Sequence, residues 1–265
     1  MANSIIFVSG KGGVGKTMIS TNVSTALARS GKRVLLLDAD FGLANANIML
    51  GIKGDYSLAD VLEGSVDINS AISETKDGLR ILCGGSGLSN LVGLDQEARF
   101  RIIRLVEPLE DTIDYLIIDA PAGIEDNALC YAGASDEICL ILTTEPTSFM
   151  DAYATVKVLS MEKKINKIKI IVNMAESISS GKAVFGRFQD IVCRFLPVTL
   201  ELTGVIPSSK NIQQSIVNRS PMIKNNSNLK DISLLSEISH TIVNNIKTSE
   251  NNNLSFFQGL LSGVA

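Results

Sequence analysis

Short runs of aliphatic and β-branched residues recur along the chain, at residues 4–9 (SIIFVS), 34–38 (VLLLD), 115–120 (YLIIDA), 137–144 (EICLILTT), 168–173 (IKIIVN) and 202–207 (LTGVIP). Few polar residues interrupt them, so they read as strands buried on both faces. Between most of them, apolar residues recur at helical spacing, as over 17–30, 97–106, 150–160 and 230–246. Alternating strand and helix predicts an α/β fold, a single doubly wound, mostly parallel sheet with helices on both faces and right-handed crossovers. Ligands of such sheets bind beyond the carboxyl ends of the strands. Function is therefore to be sought where those runs stop.

Composition removes several alternatives. With 265 residues, 45% of them apolar, the chain can bury a large core. A net charge of −4 gives no general basic surface for phosphate backbones, so no direct nucleic-acid partner is expected. One histidine (His240) and four cysteines without a CxxC pair argue against zinc sites, disulfide scaffolds and histidine-based triads. The N-terminus lacks the pattern of a secretory signal, and no run of about 18 apolar residues occurs, so a cytoplasmic chain is expected. Asn-rich stretches at 224–228 and 249–253 read as loops. They divide the chain into a domain over 1–248 and a linker with a short amphipathic helix over 249–265.

Directly after the first strand, residues 10–17 read Gly10-Lys11-Gly12-Gly13-Val14-Gly15-Lys16-Thr17. This satisfies GxxxxGK[ST], the P-loop, while Gly10, Gly12 and Gly15 also satisfy the GxGxxG dinucleotide fingerprint. Both patterns use glycines so that backbone N–H groups and a helix N-terminus can wrap phosphate. Lys16 and Thr17 separate them: a lysine on the β- and γ-phosphates and a hydroxyl on magnesium serve a triphosphate. Asp38 and Asp119 each close an apolar strand and point into the crevice, where a carboxylate needs a cation or a donor. Asp119 gives the Walker B pattern and would hold the metal through water, with Gly123 placing a backbone N–H near the γ-phosphate. A GTPase would carry NKxD after a later strand, whereas Asn173 is followed by Met174-Ala175, which favours ATP. Without a histidine base, hydrolysis would rest on positioning and electrostatics and be slow.

GKGGVGKT resembles the deviant Walker A motif of the MinD/ParA class, and that resemblance runs nearly end to end. It implies an ATPase switch using ATP and Mg²⁺, with nucleotide contacts from Gly10 through Thr17 and Met18, and from Gly123, Asn173 and Pro207, the last two facing adenine. It implies that Thr17, Asp38 and Asp119 form the metal shell and that Lys16 and Asp40 act in catalysis, Asp40 by orienting the attacking water. Lys11, in this class, reaches the nucleotide of the opposing subunit of an ATP-bound homodimer. Glu145 and Asp151 lie where that interface should form, and one of them is expected to meet the partner's Lys11.

DADFGLANANIMLG (38–51), TTEPTSFMDAYATVKVLS (143–160), GVIPSSKNIQQSI (204–216) and LSFFQGLL (254–261) resemble the flagellar number regulators of the FlhG/FleN type, while PAGIE (121–125) is written as in the cell-division MinD proteins. The flagellar resemblance implies action on a FleQ-like transcription activator, an FlhF-like GTPase and flagellar switch proteins, peripheral to the inner membrane or cell pole. A MinD-like regulator of the division site, a ParA-type partition ATPase and an NAD-binding oxidoreductase are the alternatives. In the tail, Leu254, Phe257, Leu260, Leu261 and Val264 fall on one helical face, which either meets the membrane interface or docks on the domain. Residues 251–265 hold no Lys or Arg, so only weak association with a membrane surface is expected.

Overall fold

The computed structural model describes residues 2–40, 45–84, 104–224 and 229–244, together with Phe256 and Leu260. Its strands are β1 (Asn3–Val8), β2 (Val34–Asp38), β3 (Ile72–Glu74), β4 (Arg80–Cys83), β5 (Tyr115–Asp119), β6 (Glu137–Thr143), β7 (Lys167–Ala175) and β8 (Thr199–Pro207). They form one sheet in the order β3-β4-β2-β5-β1-β6-β7-β8. All neighbours run parallel except β3 and β4. The six expected strands are present; β3 and β4 were not expected, being short and only half apolar.

The helices are α1 (Lys16–Arg29), α2 (Ala46–Leu50), α3 (Leu58–Leu62), α4 (Ile68–Ala71), α5 (Asp126–Ala134), α6 (Pro146–Glu162), α7 (Ile178–Phe195), α8 (Lys210–Val217) and α9 (Leu229–Asn244). Local signals start several of them. Pro146 opens α6 at a position where a missing N–H costs nothing, and Ser177 caps α7 by accepting the N–H of Ser180. Of the helical stretch read at 97–106, only 104–106 lie among the described residues.

The alternation within β1 shows how two layers share one sheet. Ile5 and Phe7 pack with Ile19 and Val23 of α1 and Leu235 and Ile238 of α9. Ile6 and Val8 face the opposite layer, with Leu129 of α5, Val156 of α6 and Phe188 of α7. Each such side chain contributes about 1.5–3 kcal/mol on burial. Phe149 meets Phe188 edge to face at 5.0 Å, joining α6 to α7.

Two tail positions belong to that second layer. Phe256 and Leu260 are buried in its core, and the Phe256 ring stacks on Tyr131 of α5 at 6.4 Å. Leu260 was on the expected apolar face, whereas Phe256 was not. Leu254, Phe257, Leu261 and Val264 lie outside the described residues. Among the described residues no helix is long and apolar enough to cross a membrane.

Candidate nucleotide site

The strand order places β1 between β5 and β6, so the loops after β1, β2 and β5 open into one crevice at the carboxyl edge. The loop after β1 turns back into α1 through Gly13 and Gly15, at φ 79° and 89°, where a side chain would be strained. Above it lies a cavity of about 480 Å³ bounded by Lys11 to Met18, Ser9, Asp40, Asn45, Ile48, Met49, Ala122, Met174 and Ile216. A loop of backbone donors under a cavity of that size suits a nucleotide.

Lys16 donates from Nζ to Asp119 Oδ1 at 2.8 Å, and Thr17 Oγ1 donates to Asp119 Oδ2 at 2.6 Å. Both partners of the ion pair are buried, at 8% and 1% exposure. Asp38 and Asp119 are register partners on adjacent strands, which sets two carboxylates side by side. Asp38 accepts the backbone N–H groups of Asp40 (3.2 Å), Asn45 (2.9 Å) and Ala46 (3.0 Å). Burial, and then the negative charge of Asp119, nevertheless raise the Asp38 pKa to about 7. Such an arrangement draws a cation, and the Lys16 ammonium already supplies one to Asp119. A hydroxyl and two carboxylates are hard oxygen donors of the kind Mg²⁺ takes. Among the described residues no cluster of three or more His, Cys, Asp or Glu forms a metal cage.

Lys11 has two partners across the neighbouring loop. Its Nζ donates to Glu145 Oε2 at 2.6 Å and to Thr147 Oγ1 at 3.0 Å within the same chain. Within the chain Glu145 thus pairs with its own Lys11, because β1 and β6 are adjacent parallel strands whose following loops emerge side by side. Asp151 meets the same loop through its backbone: a Cβ at Gly10 would fall 2.3 Å from the Asp151 carbonyl carbon. Glycine at position 10 is what lets α6 approach. Gly123 does not border the cavity, and its N–H donates to the Ser9 carbonyl at 2.8 Å while Ala122 takes the wall position.

Asn173 and Pro207 do not line the cavity either. Asn173 is buried, its Nδ2 donating to the Val14 carbonyl at 2.7 Å, and Pro207 pairs in register with Ala175. Met174 and Ile216 stand on the wall instead. Sequence reasoning missed them, along with Ile48, Met49 and Asn45. Of these, Ile48, Met49 and Asn45 fall inside the quoted 38–51 motif, whereas nothing local marks Met174.

Comparison with known proteins agrees with this geometry. The family model for the CobQ/CobB/MinD/ParA nucleotide-binding domain matches residues 5–255. The chain is 37% identical over 212 residues to the antiactivator FleN of Pseudomonas aeruginosa, covering 80% of this chain and 76% of that one. It is 31% identical over 222 residues to the flagellum site-determining protein YlxH of Helicobacter pylori, covering 81% and 73%. With the septum site-determining protein MinD of Bacillus subtilis it shares 36% over 177 residues, 65% of each chain. Among solved structures, MinD of Pyrococcus horikoshii complexed with Mg-ADP superposes with a TM-score of 0.74 at 26% identity, covering 92% of this chain and 96% of that one. A sheet with its glycine loop between the Asp38 and Asp119 strand ends and α1, matched across nearly all of its length, places the chain in the CobQ/CobB/MinD/ParA nucleotide-binding domain family.

Proposed function

We propose that the chain is an ATP-dependent dimerising switch, a slow Mg²⁺-dependent ATPase that regulates flagellum number and placement through a flagellar transcription activator and assembly proteins. The observation that carries the switch is the pair of lysines in one loop with separate partners, Lys16 on Asp119 and Lys11 on Glu145. Lys16 lies at the phosphate loop, so it neutralises the β- and γ-phosphates of its own nucleotide. Lys11 faces outward, 30% exposed against a Glu145 that is 62% exposed. An exposed pair of this kind contributes about 0–1 kcal/mol, so a partner's phosphate outcompetes it at little cost. Delivered in trans, that charge does the work of an arginine finger, about 10³–10⁵ in rate.

Thr17, Asp38 and Asp119 would hold the magnesium ion, which would supply charge neutralisation on the phosphates. Asp40, on the cavity wall, orients the attacking water, and the backbone N–H groups of Gly12 to Lys16 hold the phosphates in place. Lys16 and Thr17 argue against the NAD reading, since a pyrophosphate needs neither the lysine nor the hydroxyl that the loop sets on Asp119.

The 37% identity to FleN, with the match to YlxH, supports the flagellar role. The second reading, a division-site regulator, draws on that MinD relative and on the PAGIE loop. The protein's mass in solution and its phosphate release, measured with and without Mg-ATP, test the switch. A dimer only with ATP is expected, lost in Lys11→Ala and formed at lower protein concentration in Glu145→Ala. A monomer under every condition would refute it. Counting flagella and minicells in a deletion strain decides between the two roles.

A further inference from the structure

The helix that begins at the phosphate loop ends at a second cavity. The 14 residues of α1 make about 21 Å of helix, so its far end lies outside the nucleotide site. There the single-turn 3₁₀ helix Met222–Lys224 is strapped across α1. The Ile223 N–H donates to Asn22 Oδ1 at 3.4 Å, and Arg29 Nη1 donates to the Ile223 carbonyl. On the third side stands α9, with Ile232, Ser236 and His240 spaced four apart and so on one face. Between these walls lies a cavity of about 290 Å³, to which Ala26, Ile223 and Ile232 give apolar surface.

Its polar side is built of donors. The Arg29 guanidinium is fixed by Ile223, and among the described residues its Nη2 has no hydrogen-bond partner. The Asp77 carboxylate comes only to 4.0 Å of Nε, and no acidic residue stands on the described wall. The Ser236 hydroxyl and the ring of His240, the chain's one histidine, are likewise without a hydrogen-bond partner among the described residues. An anchored guanidinium beside a hydroxyl and an imidazole suits a phosphoryl group, whose oxygens accept from several donors at once. The end of α1 opposes such an anion little, because the Ala26, Leu27 and Ala28 carbonyls already accept from the N–H groups of Ser30, Gly31 and Lys32. Ser30 has the opposite polarity to the rest of the wall: its Oγ donates to the Leu27 carbonyl at 2.7 Å, which leaves the oxygen free to accept. A hydroxyl on the ligand answers that need.

We propose that this cavity is a second ligand site, for a small phosphate ester that carries a hydroxyl group. Arg29, Ser236 and His240 bind the phosphoryl oxygens, Ser30 accepts from the ligand hydroxyl, and Ala26 and Ile232 pack on its carbon chain. At about 290 Å³ the cavity stands at the lower end of the roughly 300–1,000 Å³ of ligand pockets, which leaves room for a body of a few carbons. The site does not rest on the ATP reading.

Because the chain has one histidine, the ring Hε1–Cε1 NMR signal of ¹³C-labelled protein reports on this cavity alone. The full chain is titrated at fixed pH and ionic strength with glycerol 3-phosphate, inorganic phosphate, glycerol and sodium chloride, each with and without saturating Mg-ADP. Glycerol 3-phosphate is expected to shift the signal saturably, inorganic phosphate to do so at a roughly tenfold higher concentration, and glycerol and chloride to give no saturable shift. Mg-ADP is expected to leave the midpoints unchanged, since the phosphate loop is at the other end of α1. Arg29→Gln should remove the response. Ser236→Ala, which leaves the Arg29–Ile223 bond in place and should melt with the parent, should weaken it roughly tenfold. No saturable shift with either phosphate, a shift that chloride reproduces, loss of the response under Mg-ADP, or a parent-like response in Ser236→Ala would each overturn the site.

Discussion

Replacing Asp38 by asparagine should change stability with a sign that depends on pH. The Asp38 carboxyl is buried beside Asp119, and its pKa rises from 3.8 to about 7. The native chain thus binds this proton more tightly than the unfolded chain does. The resulting stabilisation is fully present below the unfolded value near 3.8 and is lost as pH rises through about 7. Three pH units correspond to about 4 kcal/mol over the whole window, of which about 1.4 kcal/mol falls between about pH 6 and pH 8.5. Asparagine removes this dependence. It also replaces one carboxylate oxygen by an NH₂ among three backbone donors, from Asp40, Asn45 and Ala46, and an unsatisfied buried donor costs about 1–3 kcal/mol.

At alkaline pH the relieved charge outweighs the lost acceptor, so the variant without nucleotide should be the more stable protein by about 1–3 kcal/mol. Toward pH 6 that advantage should shrink by about 1.4 kcal/mol, and at still lower pH it should reverse. Urea melts of the nucleotide-free parent and variant across pH 6 to about 8.5 measure this, a range kept above the isoelectric point near 5.2 to avoid association. A difference between the two proteins that does not move with pH would refute the idea that Asp38 is held as a strained, cation-seeking carboxylate. The same variant should bind Mg-ATP less tightly, since the strain is what binding relieves.

Lys16→Ala should abolish Mg-ATP binding by calorimetry, and it should also lower the melting temperature, because the buried Asp119 loses the ammonium that balances its charge and keeps the Thr17 hydroxyl. Asp40→Ala should bind Mg-ATP and dimerise with hydrolysis lost, since a water-orienting group acts in the transition state; a monomer with ATP in sedimentation would count against that role. Phe256→Ala, which removes a ring stacked on Tyr131, should cost about 3–5 kcal/mol if the site does not collapse, read by urea melts. If docking competes with lipid, the same substitution should also raise pelleting with anionic liposomes.

The elements that the chain's sequence made legible are those whose physics is local. β2 was bounded to the residue because an all-apolar run closed by Asp38 can be buried on both faces only within a parallel sheet. The phosphate loop was legible for the same reason, since its glycines, lysine and threonine are consecutive and each residue type answers one chemical need. The Lys11–Glu145 pair spans 134 positions, and only the pairing of β1 with β6 brings the two loops together. Met174 was hidden more deeply. Nothing in IKIIVNMA announces a bulge, and Asn173 was set against the base by resemblance, which carries no backbone geometry. In the tail, helical spacing identified Leu260, but the burial of Phe256 depends on where Tyr131 lies across the fold.

Without nucleotide, the charges of the site are matched within the protein: Asp119 holds Lys16 and Thr17, Asp38 holds three backbone N–H groups, and Glu145 holds Lys11. Binding is therefore an exchange of partners, and its net gain is the difference between new and old interactions. The two exchanges differ in cost by burial. Lys16 must leave a pair that is shielded from water, so its move is tied to the arrival of phosphate with compensating charge. Lys11 leaves an exposed pair that thermal motion already opens. On the in-trans role proposed for Lys11, a nucleotide would seat in one chain before the second chain arrives, and the inexpensive step would be the one left to the partner. That ordering is what a switch whose dimer reports nucleotide occupancy requires.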